Sequence, residues 1–423
     1  MIEPAERFPA LRWNLFFMGL DIALFVGGVS FAAWTTILPL YVRHLTTSNL
    51  VLGLLPAARN LGLYLPPIFV SAHVERLHRY KPYVLWWTTL ERFPYLLLAI
   101  ATIGLWPAHP QILLVIFFLL MILWTAGGGI TTPAWLHMVS LMIPMRLRGR
   151  FFGSASSIGG LLGVGGAAAT AVILHHFRFP TNFVICFLAT FVFVVLSFFA
   201  LAAGREPPRA QAPAPPGQPM LTYLRALPTF LARERNFTIF LLASVLGNAV
   251  MAISPFLAVA AVRGLHVSDA QVGVYSAVLL AVTTLGSIGW GWLGDQQGYR
   301  LVLLAGTLAG VVCMAFATLA LLMGSAPWFY AVFLALGAYS SALQLASFTI
   351  VTEFGAEAER PTIIALSSLV QAPMALVAPV IGGVVADRLG YHVVFIAAAL
   401  ALAAACALYT FAVRDPRGSE SRP

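Results

Sequence analysis

Residues 291–300 read GWLGDQQGYR, a polar turn set between two apolar runs. At an offset of 220 residues, positions 71–80 read SAHVERLHRY, again between two apolar runs. Each turn carries an acid (Asp295 or Glu75), a polar residue after it and a base close behind (Arg300 or Arg76). Like turns at like places indicate a chain built from two related halves. The neighbouring runs agree. GGLLGVGG (159–166) and APVIGG (378–383) fall in corresponding segments, and each leads through a short loop to an aromatic, Phe183 or Phe395.

The apolar runs extend from end to end. The chain has 423 residues, 60% of them hydrophobic and only 9% charged, where a soluble domain carries roughly 25% charged residues. Polar breaks divide it into twelve expected membrane spans: 13–41, 50–72, 83–105, 111–138, 151–174, 182–203, 237–262, 270–293, 301–323, 328–352, 362–385 and 393–412. Each is long enough to cross about 30 Å of hydrocarbon as a helix. Continuous apolar runs, without the alternation of barrel strands, predict an all-α membrane protein. The opening MIEPAERFPALR is polar and predicts no cleaved signal peptide. Cys186, Cys313 and Cys406 all fall inside spans, at spacings that suggest neither a disulfide framework nor a metal site. No cofactor or metal is expected.

The net charge of +9 follows topology and does not point to a nucleic-acid partner. With both termini inside, 18 Lys/Arg lie in cytoplasmic segments and 4 (Arg43, Arg178, Arg263, Arg388) in outer loops. The expected setting is a bacterial inner (plasma) membrane with both ends cytoplasmic, the lipid bilayer and a small molecule as partners, and a monomeric chain. A proline-rich segment, 204–236, separates the first six spans (1–203) from the last six (237–423). Residues Leu221 to Arg235 fit either an amphipathic helix on the inner surface or an ordinary basic loop. The linker is too short for a nucleotide-binding domain, and no GxxxxGK[ST] occurs.

At this point the whole chain resembles the major facilitator superfamily. GWLGDQQGYR fits its inner-loop pattern G-x-L-x-D-x-x-G-x-R, and SAHVERLHRY is a degenerate copy with Ser71, Glu75 and His78 at pattern positions. IPMRLRGRFFG (143–153) is similar to the family's loop between spans 4 and 5. The resemblance implies two six-helix bundles that expose a central site alternately to either side. It also implies a cytoplasmic gate formed by Glu75 and Arg76 in one bundle and Asp295 and Arg300 in the other. In the family a glycine-proline motif in span 5 accompanies exporters. Here Val164 stands where proline is expected, and the closer match is Ala378-Pro379-x-x-Gly382-Gly383 in span 11. The proton-linked arginine usual in span 4 is missing from WTAGGGITTP (124–133).

Charges inside spans carry the remaining functional signal. LERFPYLLLA (90–99) sets Glu91 beside Arg92, with Asp21 in span 1 and Arg59 in span 2 as the other buried charges. A bare ion at this depth costs about 2.5–3.5 kcal/mol or more, so each needs a partner. Adjacent helical residues point about 100° apart, so Glu91 and Arg92 are not expected to neutralise each other across one helix face, and each needs a partner on another helix or a water-filled cavity. Pro94 leaves the Leu90 carbonyl without its backbone donor. The four charges sum to zero and read as one network. Its role is either proton coupling, with Asp21 as carrier, or a static tie that holds the helices in register. The substrate cavity is expected to use Phe25, Trp34 and Trp124 from the first half and Asn248, Tyr339, Gln344 and Gln371 from the second.

Together these features predict a secondary active transporter, proton-coupled, exporting a small and mainly apolar solute that can be cationic. The alternative is an uptake permease for a neutral nutrient such as a sugar. Neither HExxH nor GxSxG occurs, and nothing in the chain suggests an intramembrane enzyme or a sensor.

Overall fold

A computed structural model describes residues 8, 10–207, 231, 234–351 and 360–414. Among the described residues every regular element is helical. The first crossing is a helix α1 (Leu11–Val29), a short 3-10 turn and a helix α2 (Ile37–Leu45). Then follow α3 (Asn49–Glu75), α4 (Tyr80–Trp87) and α5 (Phe93–Leu105), α6 (Pro110–Met142), α7 (Met145–His176) and α8 (Thr181–Ala203). The second half contains α9 (Arg235–Ile253), α10 (Pro255–Leu265), α11 (Asp269–Gln297), α12 (Tyr299–Met323), α13 (Trp328–Val351), α14 (Arg360–Leu389) and α15 (Tyr391–Ala407). Ten of these stretches are long and apolar enough to span a membrane. With α3 and the broken α4–α5 pass they make the twelve crossings of the expected fold.

The expected helix over 83–105 is not continuous. Pro94 has no N–H to give to the Leu90 carbonyl, so the α-helical ladder fails there. The chain tightens into a 3-10 turn, Thr88–Glu91, with the Arg92 N–H bonded to the Thr89 carbonyl at 3.0 Å, and α5 restarts with proline in its first turn. The expected end of span 11 at residue 385 also falls short, because α14 runs on to Leu389.

The structure divides into two compact units. Among the described residues, one comprises those within 1–46, 58–217 and 269–277, the other those within 47–57, 218–268 and 278–423. In the first, α1 packs along α7 and α8, and α5 against α8 and α6. In the second, α12 packs along α13 and α15, and α9 against α14 and α15. The second helix of each half thus begins in the unit of the other half. Glycine makes this geometry possible. A Cβ on Gly53 would overlap the Pro379 carbonyl, and one on Gly383 would sit 2.8 Å from the Leu50 Cα. In the first unit a Cβ on Gly273 would lie 2.6 Å from the Ala171 Cα. The small-residue face expected in span 5 serves α1, since a Cβ on Gly159 would come within 3.2 Å of the Ala23 Cα.

The junction in the second unit is also polar. The Asp387 carboxylate accepts the Asn49 and Leu50 N–H groups at 2.8 and 2.9 Å and so caps the start of α3. Arg263 donates to the Thr47 carbonyl (2.8 Å) and to Asn49 Oδ1 (3.0 Å), which the Tyr391 hydroxyl also reaches. In the first unit, His44 Nε2 lies 2.7 Å from Asp269, and the Ser276 hydroxyl donates to Thr36 at 2.5 Å.

Candidate functional site

The broken third crossing places Glu91 and Arg92 together. Because the backbone there is a 3-10 turn and not an α-helix, their side chains meet, with Arg92 Nη1 at 3.2 Å from Glu91 Oε2. The expectation that they do not neutralise each other, drawn for an α-helix, is corrected by this geometry. The Thr88 hydroxyl donates to the same carboxylate oxygen at 2.8 Å. Room for the pair comes from the glycine triplet of α6. A Cβ on Gly128 would lie 2.9 Å from Glu91 Oε1, and one on Gly127 would lie 3.0 Å from Glu91 Cγ. Gly129 faces α3 instead, where a Cβ would stand 2.5 Å from the Gly62 carbonyl.

Asp21 joins the group through a residue that the sequence did not single out. The Ser197 hydroxyl of α8 donates to Asp21 Oδ1 at 2.6 Å, and Arg92 Nη2 lies 3.4 Å from the same hydroxyl. The Arg92 guanidinium also covers the Phe25 ring at 5.2 Å. Asp21, Glu91 and Arg92 are all buried, at 5%, 9% and 4% exposure. Asp21 is therefore packed inside the first unit, among α1, α5 and α8.

Arg59 stands apart from this network. Among the described residues it makes neither a hydrogen bond nor an ion pair; its guanidinium lies 5.7 Å from the centre of the Trp34 ring, with Tyr95 as a polar neighbour. The neutral four-charge cluster is thus replaced by a three-charge cluster and a separate arginine. Trp34 stacks on Trp124 (5.6 Å), which stacks on Phe25 (6.3 Å) and meets Tyr95 edge-on (5.7 Å). The three aromatics expected to line a cavity stack in one continuous row, with Trp124, at 8% exposure, in its middle.

The second-half candidates separate. Asn248 bonds to Gln371, which donates to Ser367 at 2.8 Å, so α9 and α14 share a neutral polar set. Tyr339 is fully buried and donates to the Gly247 carbonyl at 2.6 Å, which makes it a tie between α13 and α9 rather than a cavity wall. Gln344 is exposed. Of the gate residues, Arg300 caps the last turn of the α15 crossing by donating to the Tyr409 and Thr410 carbonyls (2.8 and 2.7 Å). Asp295 accepts the Tyr299 hydroxyl at 3.0 Å across a turn in which Gly298 has a φ of 89°. Arg76 is exposed, and the Glu75 side chain lies outside the described ones, as does most of 204–236 with its expected amphipathic helix.

Comparison with known proteins supports the same fold. Residues 239–423 match the Major Facilitator Superfamily. Curated protein sequences give no match. The structure is similar to that of the nucleoside transporter NupG (TM-score 0.70, 11% identity, 95% of this chain and 99% of that one). It is also similar to a D-xylose-proton symporter (0.69, 13%, 97% and 98%) and to a bacterial homologue of the iron transporter ferroportin (0.68, 15%, 95% and 98%). The second half of the chain, residues 239–423, thus matches the major facilitator superfamily in sequence, and the whole chain shares its fold with these solved transporters.

Proposed function

We propose that the protein is a proton-coupled secondary transporter that expels a small, mainly apolar solute by alternating access. The observation that carries this reading is the count of charges in the buried cluster: two carboxylates, Asp21 and Glu91, share one guanidinium, Arg92. Buried charge is costly unless compensated, so the cluster is neutral when one carboxylate holds a proton. Ser197 links Asp21 to Arg92, and a shift of the arginine between its two partners changes which carboxylate is compensated. Asp21, with no arginine bonded directly to it, is the proton carrier.

The row of Phe25, Trp34 and Trp124 supports an apolar substrate. The charged group on that row is Arg59, so a cationic substrate is not part of the proposal. Apolar solutes enter bilayers unaided; the work left for a proton-driven carrier is to move them out. Inward-facing termini are part of the proposal on the charge asymmetry of the loops, and a monomer in a bacterial inner membrane is proposed with them. Asp295 with Arg300, and Glu75 with Arg76, are proposed as its cytoplasmic gate. A second reading, uptake of a neutral solute such as a sugar, is favoured by the Asn248–Gln371–Ser367 set.

Proteoliposomes filled with a pH-sensitive dye and challenged with apolar drugs, sugars and amino acids test both. Apolar compounds should move protons in the wild type and not in Asp21→Asn. Proton movement that persists in Asp21→Asn would remove the carrier role, and a response to sugars alone would favour the second reading.

A further inference from the structure

We infer that the aromatic row is a subsite for an organic anion, in which Arg59 takes the carboxylate of an otherwise apolar substrate. The inference rests on the transport reading above and supplies the substrate class. It starts from an imbalance. Arg59 offers a charged, five-donor fork and has no acceptor among the described residues. Its neighbours are the Trp34 ring and the tyrosines Tyr64 and Tyr95; Trp34 Nε1, the Tyr95 hydroxyl and, further along the ring stack, Trp124 Nε1 are buried without a hydrogen-bond partner. Indole nitrogens only donate. The neighbourhood is thus rich in donors and lacks any negative charge, since Glu91 and Asp21 are held by Arg92, Thr88 and Ser197.

Arg59 also faces the correct way. At about 100° per residue, it shares its side of α3 with Leu52, Leu55 and Gly62. All three are buried, whereas the exposed Leu54, Leu61 and Leu65 occupy other faces. Arg59 itself retains exposed surface. Its guanidinium therefore opens on a protein-lined side and not into lipid. The Trp34 face orients it, and a stacked, weakly hydrated guanidinium binds a carboxylate with two parallel hydrogen bonds. The rings beyond Trp34 match the apolar body of such a molecule. A weak organic acid also suits the direction proposed: its neutral form crosses the bilayer inward, and its anion, formed inside, needs a carrier to leave.

The test is equilibrium binding, which needs no transport and so separates this inference from the proton reading. Thermal unfolding of the full chain in lipid nanodiscs is followed with benzoate, 1-naphthoate and decanoate, and with the matching amides and amines. At least one anion should raise the melting temperature, while its amide and amine do not. Arg59→Gln should melt like the wild type without ligand and bind the anion roughly ten- to hundredfold more weakly. Arg59→Lys keeps the charge without the fork and should fall between the two. Asp21→Asn should keep the anion response. No shift with any anion, a larger shift with the amines, or an anion response that survives Arg59→Gln would overturn the inference. Loss of the proton response in the liposome assay with anion binding intact would count against the proton reading alone.

Discussion

Two arginines of the first unit, Arg59 and Arg92, lie inside expected spans, and the chain treats them in opposite ways. Arg92 is held by a carboxylate, a serine hydroxyl and an aromatic face, and it is almost fully buried. Arg59 rests on one indole ring and meets no acceptor among the described residues. The first arrangement compensates its own charges, although Arg92 Nε is buried without a hydrogen-bond partner, and removal of one group strands a charge. The second is open, and its charge is available to something that the chain does not itself provide. A self-compensated cluster and a binding group can therefore be told apart by what their loss does to folding.

The largest effect should come from Arg92→Gln, which leaves two buried carboxylates without a counter-charge and should cost about 3–5 kcal/mol. In detergent this variant should lose its monodisperse elution or melt far below the wild type, while Arg59→Gln stays close to it. Equal losses in both would erase the distinction. Ser197→Ala removes the bridge to Asp21 and should cost about 1.5–3 kcal/mol, read as a lower melting temperature and an altered pH profile of transport. Gly128→Val drives a side chain toward Glu91 Oε1 and should cost about 1–3 kcal/mol. Gly104→Ala, in α5 with nothing within 4 Å of its added carbon, is the control and should be silent. The smallest effect belongs to the second unit: Tyr339→Phe frees the Gly247 carbonyl and should cost about 0.5–1.5 kcal/mol without a change in pH dependence.

The fold was legible because hydropathy and charge asymmetry act over about twenty residues at a time, and local detail averages out. Detail is what the sequence concealed. Pro94 pointed to a defect in the third crossing, yet the resulting 3-10 turn, and with it the Glu91–Arg92 contact, depends on which carbonyl loses its donor and on the space left by Gly127 and Gly128 of another helix. Ser197 was hidden as one hydroxyl in FVFVVLSFFA (191–200), where nothing local distinguishes it from packing. Asp387 could have been found: DRLGY (387–391) repeats the spacing of DQQGY (295–299), and both glycines have positive φ. Arg59 was read as one of four networked charges, but its separation from Asp21 and Glu91 is a matter of helix rotation that net charge does not encode.

Infrared difference spectroscopy of the protein in nanodiscs, between acid and alkaline buffer, asks directly whether the three-charge cluster holds one exchangeable proton. The wild type should show the C=O band of a protonated carboxyl that disappears on alkalinisation. Asp21→Asn should lack that band, because Glu91 then has Arg92 to itself, and Glu91→Gln should lack it too, because Asp21 is then the one carboxylate that Arg92 compensates. A band unchanged in Asp21→Asn, or absent from the wild type across the whole range, would contradict proton coupling through Asp21.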